Sequence, residues 1–146
     1  PLWETKRNDM KESELTYQIR GAIYDTYNAL GPGLLEMVYE ETLAYFLTKR
    51  GLRVDRQVPV SIEVEGNQLE TQLRIDLLVE RRIIVELKSV LEMREVFHLQ
   101  ILTYLKLAKL HRGILVNFNT DNIENSIWSK VYGFDNNAEL PEYPTK

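Results

Sequence analysis

The sequence has no cysteine and only two histidines, His98 and His111, among its 146 residues. The absence of cysteine excludes disulfide bonds and thiolate metal sites. Any metal ion would therefore be bound by oxygen atoms or by these two imidazoles. Oxygen ligands favour Mg²⁺, Mn²⁺ or Ca²⁺ over Zn²⁺.

Long apolar runs and an excess of basic charge are also lacking. No run approaches the roughly 20 apolar residues that a membrane span needs, and no basic segment followed by an apolar one opens the chain. We therefore expect a cytoplasmic protein that does not contact a membrane. The net charge of −4 argues against nonspecific coating of nucleic acid, but it allows an enzyme that contacts a few phosphates.

Two helices are predicted before any strand. Ser13 is the expected N-cap of the first, because apolar residues then recur at helical spacing up to Leu30. The Gly31-Pro32-Gly33 segment ends this helix. The second helix is expected from about Leu35 to Arg50.

Beyond Val54 the pattern predicts three strands in two hairpins, a crossover helix, a buried strand and an edge strand. These elements are expected at Val58–Val64, Leu73–Val79, Ile83–Leu87, Met93–Leu110, Gly113–Phe118 and Ile127–Phe134. A right-handed crossover makes the third and fourth strands parallel, so we predict an α/β (α+β) fold with a mixed sheet flanked by helices. One domain should cover residues 1–134, with 1–12 as a mobile lead-in, followed by a flexible tail over 135–146.

Asp76 and Glu86 interrupt two apolar strand segments. If the hairpin loop is the three-residue segment Glu80-Arg81-Arg82, these carboxylates lie directly opposite each other, about 5 Å apart at Cβ. Lys88 then projects from the same face as Glu86. A cation between the two carboxylates is one interpretation, and a solvated acid–lysine pair is the other. A two-residue loop would shift the register and separate the carboxylates.

Further polar residues stand in or beside apolar helices. Gln100 and Tyr104 share one helix face and need partners, which a phosphate, a carboxylate or other core polar groups would supply. His98 points elsewhere, in a structural or phosphate-contacting role. Glu36 opens the second helix, where the helix dipole favours a carboxylate, or where it could reach the carboxylate pair as a further ligand. Basic residues form two clusters that contact phosphates or are merely solvated: Lys49, Arg50, Arg53 and Arg56, and Lys106, Lys109 and Arg112.

Three motifs resemble a known family. The segment Gly33-Leu34-Leu35-Glu36-Met37-Val38-Tyr39 fits the GxxExxY signature. Ile75-Asp76 with Glu86-Leu87-Lys88 is similar to the core motif of PD-(D/E)XK nucleases, although Ile75 replaces the proline. Gln100-Ile101-Leu102-Thr103-Tyr104 resembles the QxxxY motif of their RecB-like branch. The chain thus resembles a GxxExxY protein with a restriction-endonuclease-like core.

The resemblance implies a metal-dependent phosphodiesterase. The implied metal ligands for Mg²⁺ or Mn²⁺ are Glu36, Asp76, Glu86 and the backbone carbonyl of Leu87. The implied catalytic residues are Asp76, Glu86, Lys88, Gln100 and Tyr104. The expected substrate contacts are His98, Lys106 and Lys109.

Three interpretations stay open on the sequence alone. The first is a nuclease that acts on nucleic acid, with DNA as the expected substrate. The second is a non-catalytic nucleic-acid-binding or assembly module that retains the nuclease fold. The third is a homodimer built through an exposed strand edge, in which the polar cluster serves only the core.

Overall fold

The computed structural model describes residues 10–133. The helices are α1 (Glu12–Leu30), α2 (Glu36–Lys49) and α3 (Glu95–Ala108). The strands are β1 (Val54–Val64), β2 (Asn67–Val79), β3 (Ile83–Lys88), β4 (Arg112–Asn117) and β5 (Ile127–Val131), with a short 3₁₀ helix at Ile123–Ser126. Most of the expected lead-in, the end of the edge strand at Phe134 and the expected tail lie outside the described residues.

The five strands form one mixed sheet in the order β1-β2-β3-β4-β5. Successive neighbours are antiparallel except for β3 and β4, which are parallel. The predicted order of elements and the predicted parallel pair are therefore confirmed. The parallel pair is joined through α3, as a crossover connection requires.

Helices cover both faces of the sheet. The helices α1 and α2 bury one apolar cluster with strand residues such as Leu77, Val85 and Val116. On the opposite face, α3 packs over a second cluster that includes Ile84 and Leu115. Because β3 is covered on both faces, its residues from Ile83 to Leu87 are all buried. A carboxylate on this strand is thus held inside the protein.

The first helix begins differently from the prediction. Its N-cap is Lys11, which makes no side-chain capping bond, so the assignment of Ser13 as the N-cap is wrong. The carboxylate of Glu12 lies 3.2 Å from the guanidinium of the buried Arg112. This contact and the favourable position of an acid in the first turn place Glu12 inside the helix.

The β1–β2 hairpin reaches beyond the rest of the sheet. The ladder between β2 and β3 comprises only Leu77–Val79 with Ile83–Val85. Residues 60–73, here called the distal arm, are mostly exposed. Separately, no helix within residues 10–133 is long and apolar enough to cross a membrane.

Candidate functional site

The β2–β3 hairpin places Asp76 opposite Glu86. Its pairs run from Val79 with Ile83 to Leu77 with Val85, the register that the three-residue loop Glu80-Arg81-Arg82 predicts. The loop contains no glycine. Instead, Glu80 and Arg81 adopt left-handed backbone conformations, with φ of 51° and 55°. The predicted register is therefore confirmed.

Each of the two acidic side chains accepts a hydrogen bond from a backbone N–H of the opposite strand. Oε1 of Glu86 accepts a hydrogen bond from the backbone N–H of Asp76 at 3.1 Å. Oδ2 of Asp76 accepts one from the backbone N–H of Leu87 at 3.0 Å. These reciprocal bonds replace the regular ladder at the point where β2 and β3 separate, and they bring the two carboxylates together.

The pair has an electrostatic cost. Burial, followed by the negative charge of Asp76 and a side-chain hydrogen bond to it, raises the pKa of Glu86 to about 9, although Lys88 opposes this shift. Two neighbouring carboxyl groups that are shielded from water repel each other when both are ionised, so ionising the second one costs free energy. A divalent cation is the kind of ligand that would let both carboxylates ionise.

Lys88, Gln100 and Tyr104 form a polar chain beside the carboxylates. Nζ of Lys88 donates to Oε1 of Gln100 at 3.4 Å, and Nε2 of Gln100 donates to the hydroxyl of Tyr104 at 3.0 Å. The ammonium also lies 4.6 Å from the centre of the Phe97 ring. Burial, and after it the negative charge of Glu86, raises the pKa of the Tyr104 hydroxyl. The structure therefore brings these three predicted residues to one side of the sheet.

Glu36 lies at the end of β3 rather than between the other two acids. It is the first residue of α2 and is exposed, and its Oε1 accepts from the backbone N–H of Ser89 at 3.4 Å. The hydroxyl of Ser89 donates to the carbonyl of Leu34 at 2.5 Å. These contacts join the Gly-Pro-Gly turn to the residue directly after Lys88.

The predicted ligand set is only partly assembled. Within residues 10–133, no three side chains of Asp, Glu or His come close enough together to hold a metal ion. Asp76 and Glu86 supply two acidic groups, while the Glu36 carboxylate is engaged with Ser89. A metal role for the Leu87 carbonyl stays a prediction. The donor chemistry thus fits a hard cation, and further ligands would have to move in.

The expected substrate contacts are spread along α3. The ring of His98 packs edge-on against Trp128, with centroids 5.1 Å apart, and burial followed by the charge of Lys130 lowers its pKa. Lys106 and Lys109 are exposed at the other end of the helix. At a rise of about 1.5 Å per residue, Lys109 lies about 14 Å along the axis from Gln100. The role of these three residues as substrate contacts stays a prediction.

The basic clusters are largely occupied by acids of the same chain. The side chains of Arg50, Arg53 and Arg56 lie 3.0, 3.3 and 3.0 Å from the carboxylates of Asp25, Asp55 and Glu40. Arg112 is not a surface residue at all. It is 1% exposed and donates to the hydroxyl of Ser129 at 2.6 Å. The prediction that Arg112 belongs to an exposed basic cluster, whether solvated or in contact with phosphates, is therefore wrong.

Tyr39, the tyrosine of the GxxExxY segment, fixes the turn before α2. Its hydroxyl donates to the carbonyl of Gly31 at 2.6 Å and accepts from the backbone N–H of Leu34 at 3.2 Å. Its ring stacks on Phe118 with centroids 4.6 Å apart. The turn also needs a left-handed backbone at Gly31, where φ is 68°. Tyr39 thereby helps to set where Glu36 begins the helix.

Asn117, at the end of β4, is a residue that sequence reasoning did not single out. Its Oδ1 accepts from the backbone N–H of Val90 at 3.1 Å, and its Nδ2 donates to the carbonyl of Val90 at 3.0 Å. These two bonds fasten the segment that follows Lys88. The available signal was an amide residue at the end of an apolar strand, where a backbone partner is needed.

Comparison with known proteins defines the family. No curated protein matches the chain. The crystal structure of SSO0001 superimposes with a TM-score of 0.51 at 23% sequence identity, covering 67% of this chain and 50% of that one. The chain thus spans half the length of SSO0001, and the likeness concerns the fold. A family model described as "PD-(D/E)XK nuclease superfamily" matches residues 13–130 of the sequence. The chain therefore belongs to the PD-(D/E)XK nuclease superfamily.

Proposed function

We propose that the protein is a cytoplasmic, metal-dependent nuclease that hydrolyses phosphodiester bonds of DNA, of the GxxExxY group and the RecB-like branch. The observation that carries this proposal is the meeting of Asp76 and Glu86 beside the Lys88–Gln100–Tyr104 chain. Superfamily membership supports this reaction class, and the side chains of these five residues have the chemistry that such a reaction needs.

Asp76 and Glu86 are the proposed metal ligands, with the Leu87 carbonyl and Glu36 as additional ones. Bound Mg²⁺ or Mn²⁺ would lower the pKa of a water molecule and neutralise charge on the phosphate. Glu86 must lose its proton before it can bind the cation. Glu36 would have to leave the N–H of Ser89 to contribute.

Lys88 is proposed to hold the attacking water or to stabilise the charge that develops on the phosphate. Gln100 accepts a hydrogen bond from the ammonium and thereby fixes its direction, and Tyr104 fixes Gln100 in turn. The remaining proposed contacts, with phosphates further along the substrate, are assigned to His98, Lys106 and Lys109. Few phosphate contacts imply a shallow salt dependence of binding.

Removal of the Lys88 ammonium tests this proposal. We expect the wild-type protein to cleave DNA with Mg²⁺ or Mn²⁺, and Lys88→Met to lose about 100-fold or more of the rate. Lys88→Met should keep its thermal stabilisation by Mn²⁺, because both carboxylates remain. The charge-matched control is Arg81→Met, which alters the exposed turn at the far end of the hairpin and should cleave normally. Failure of the wild type to cut DNA or RNA with any divalent metal would contradict the enzymatic proposal.

A binding or assembly module without turnover is the second candidate. It is favoured by the absence of a three-ligand cluster within the described residues and by the arginines that are already paired with acids. This candidate predicts DNA binding without cleavage and no rise in melting temperature with Mn²⁺.

Self-association through a strand edge is also proposed. The outer edge of β1 carries Pro59 and the left-handed Gln57, features that hinder pairing with another strand. The edge of β2 that extends beyond β3, at Gln68–Arg74, has neither proline nor glycine and is open to a second copy of the chain. Light scattering of the purified protein would give the mass that decides between monomer and dimer.

A further inference from the structure

The strand β2 changes its facing at Asp76. In a regular strand, residues two apart lie on the same face. Yet Leu77 packs in the cluster under α1 and α2, whereas Ile75 packs in the cluster under α3. The strand therefore turns over between these two residues, at the position of the candidate metal ligand.

The neighbouring strand is distorted at the same place. Arg56 pairs with Leu77 and Val58 with Ile75, so Gln57 is the residue opposite Asp76. Gln57 has a φ of 50°, in the left-handed region that residues with a side chain avoid. Such a conformation persists only where the surroundings hold it.

A buried carboxylate on α2 provides that hold. Glu40 is 6% exposed, and its Oε1 accepts a short hydrogen bond from Nε2 of Gln57. Its Oε2 accepts from Nη2 of Arg56 at 3.0 Å, which compensates the buried charge. On the other side, Nη1 of Arg74 donates to the carbonyl of Gln57 at 3.4 Å. Gln57 is thus fixed through both its side chain and its backbone.

We infer that Glu40 and Gln57 are positioning residues for Asp76. Glu40 holds Gln57 in its left-handed conformation, and that conformation bends β2 so that the Asp76 carboxylate reaches the N–H of Leu87 beside Glu86. Neither residue is expected to touch the substrate. The relevance of this placement to metal binding rests on the proposed function, whereas the placement itself can be measured without metal.

Hydrogen exchange of two amides reports the placement. The Leu87 N–H is bonded to the Asp76 side chain, whereas Val85, two residues earlier, pairs with Leu77 in the regular ladder. Loss of overall stability would lower the protection of both amides together. Displacement of Asp76 would lower the protection of Leu87 alone, so the ratio of the two protection factors isolates the positioning effect.

Two substitutions of Gln57 form a matched pair. Gln57→Ala and Gln57→Gly both remove the hydrogen bond to Glu40, but only glycine adopts the left-handed conformation without cost. We expect Gln57→Ala to lower the Leu87-to-Val85 protection ratio by about fivefold or more, and Gln57→Gly to leave it within about twofold of wild type. An unchanged ratio in Gln57→Ala, or an equal fall in both variants, would overturn the inference.

Metal binding gives a second readout. The rise in melting temperature with Mn²⁺ should be reduced in Gln57→Ala and retained in Gln57→Gly. A wild-type protein that shows no such rise would contradict the proposed metal site. In that case the positioning inference would still be tested by the Leu87-to-Val85 protection ratio, because this ratio is measured in the metal-free protein.

Discussion

Replacing the Glu86 carboxyl by an amide should stabilise the metal-free protein at alkaline pH. The Glu86→Gln variant keeps the shape of the side chain and an oxygen that can accept from the N–H of Asp76. It removes the group whose pKa burial and the charge of Asp76 raise from 4.5 to about 9. The wild-type protein therefore carries a proton in the folded state that the unfolded chain releases between these two values.

The sign and size of the effect follow from proton linkage. Because the folded state binds more protons than the unfolded state over this range, the wild-type free energy of unfolding falls as the pH rises. A difference of one bound proton between the two states changes the free energy of unfolding by about 1.4 kcal/mol per pH unit. From about pH 6 to about pH 8, the difference in the free energy of unfolding between Glu86→Gln and the wild type should grow by at most about 3 kcal/mol in favour of Glu86→Gln.

Urea unfolding in the presence of a chelator would measure this difference at several pH values. The matched control is Glu41→Gln, at an exposed position on α2, which should follow the wild type. With saturating Mn²⁺ the order should reverse, because the wild type alone presents two carboxylates to the cation. Parallel pH profiles for the wild type and Glu86→Gln would refute the argument that this carboxyl is buried next to a second acid.

Two further predictions concern the supports of the site. Tyr39→Phe removes the hydroxyl bonded to Gly31 and Leu34, which should lower the free energy of unfolding by about 1–2 kcal/mol in urea titrations; an unchanged value would show that water replaces the hydroxyl. Asn117→Ala leaves the backbone groups of Val90 without partners and should cost about 1–3 kcal/mol. It should also speed hydrogen exchange of the Val90 amide, and unaltered exchange there would contradict the fastening role.

The sequence predicts that Asp76 faces Glu86 for one of the two possible lengths of the hairpin loop. A three-residue loop, Glu80-Arg81-Arg82, sets Asp76 opposite Glu86, whereas a two-residue loop would shift the register by one residue. The observed pairing of β2 with β3 is that of the three-residue loop. The parallel pairing of β3 with β4 was also predictable, because a helix between two neighbouring strands can return the chain to the end of the sheet where the first strand began. The pairing of Gln100 with Tyr104 followed from helical spacing.

The bend at Asp76 could not be predicted. It depends on Gln57, which stands in an alternating strand segment and is left-handed because Glu40, on a distant helix, binds its side chain. Such a contact has no local sequence signal. The burial of Arg112 was missed for the same reason, because its partners Glu12 and Ser129 lie 100 and 17 residues away.

The engagement of Glu36 with Ser89 was likewise hidden from the sequence. A glutamate at the first position of a helix is favoured by the dipole whatever it contacts, so its position alone could not show which group it would meet. Only the packing of the Gly-Pro-Gly turn against the end of β3 decides that the partner is a backbone N–H. The metal ligand set therefore stays a prediction.

The distal arm, residues 60–73, adds little to the buried interior and lies beyond the bend at Asp76. Its tip, Glu65-Gly66, can therefore accept inserted residues with little effect on the acids below it. The entropic cost of closing a loop grows only slowly with the length of the loop, so even a sizeable insertion should be tolerated. The tip is therefore a suitable attachment site for a fluorophore or an affinity tag, because a label there would leave the core and the two acids undisturbed.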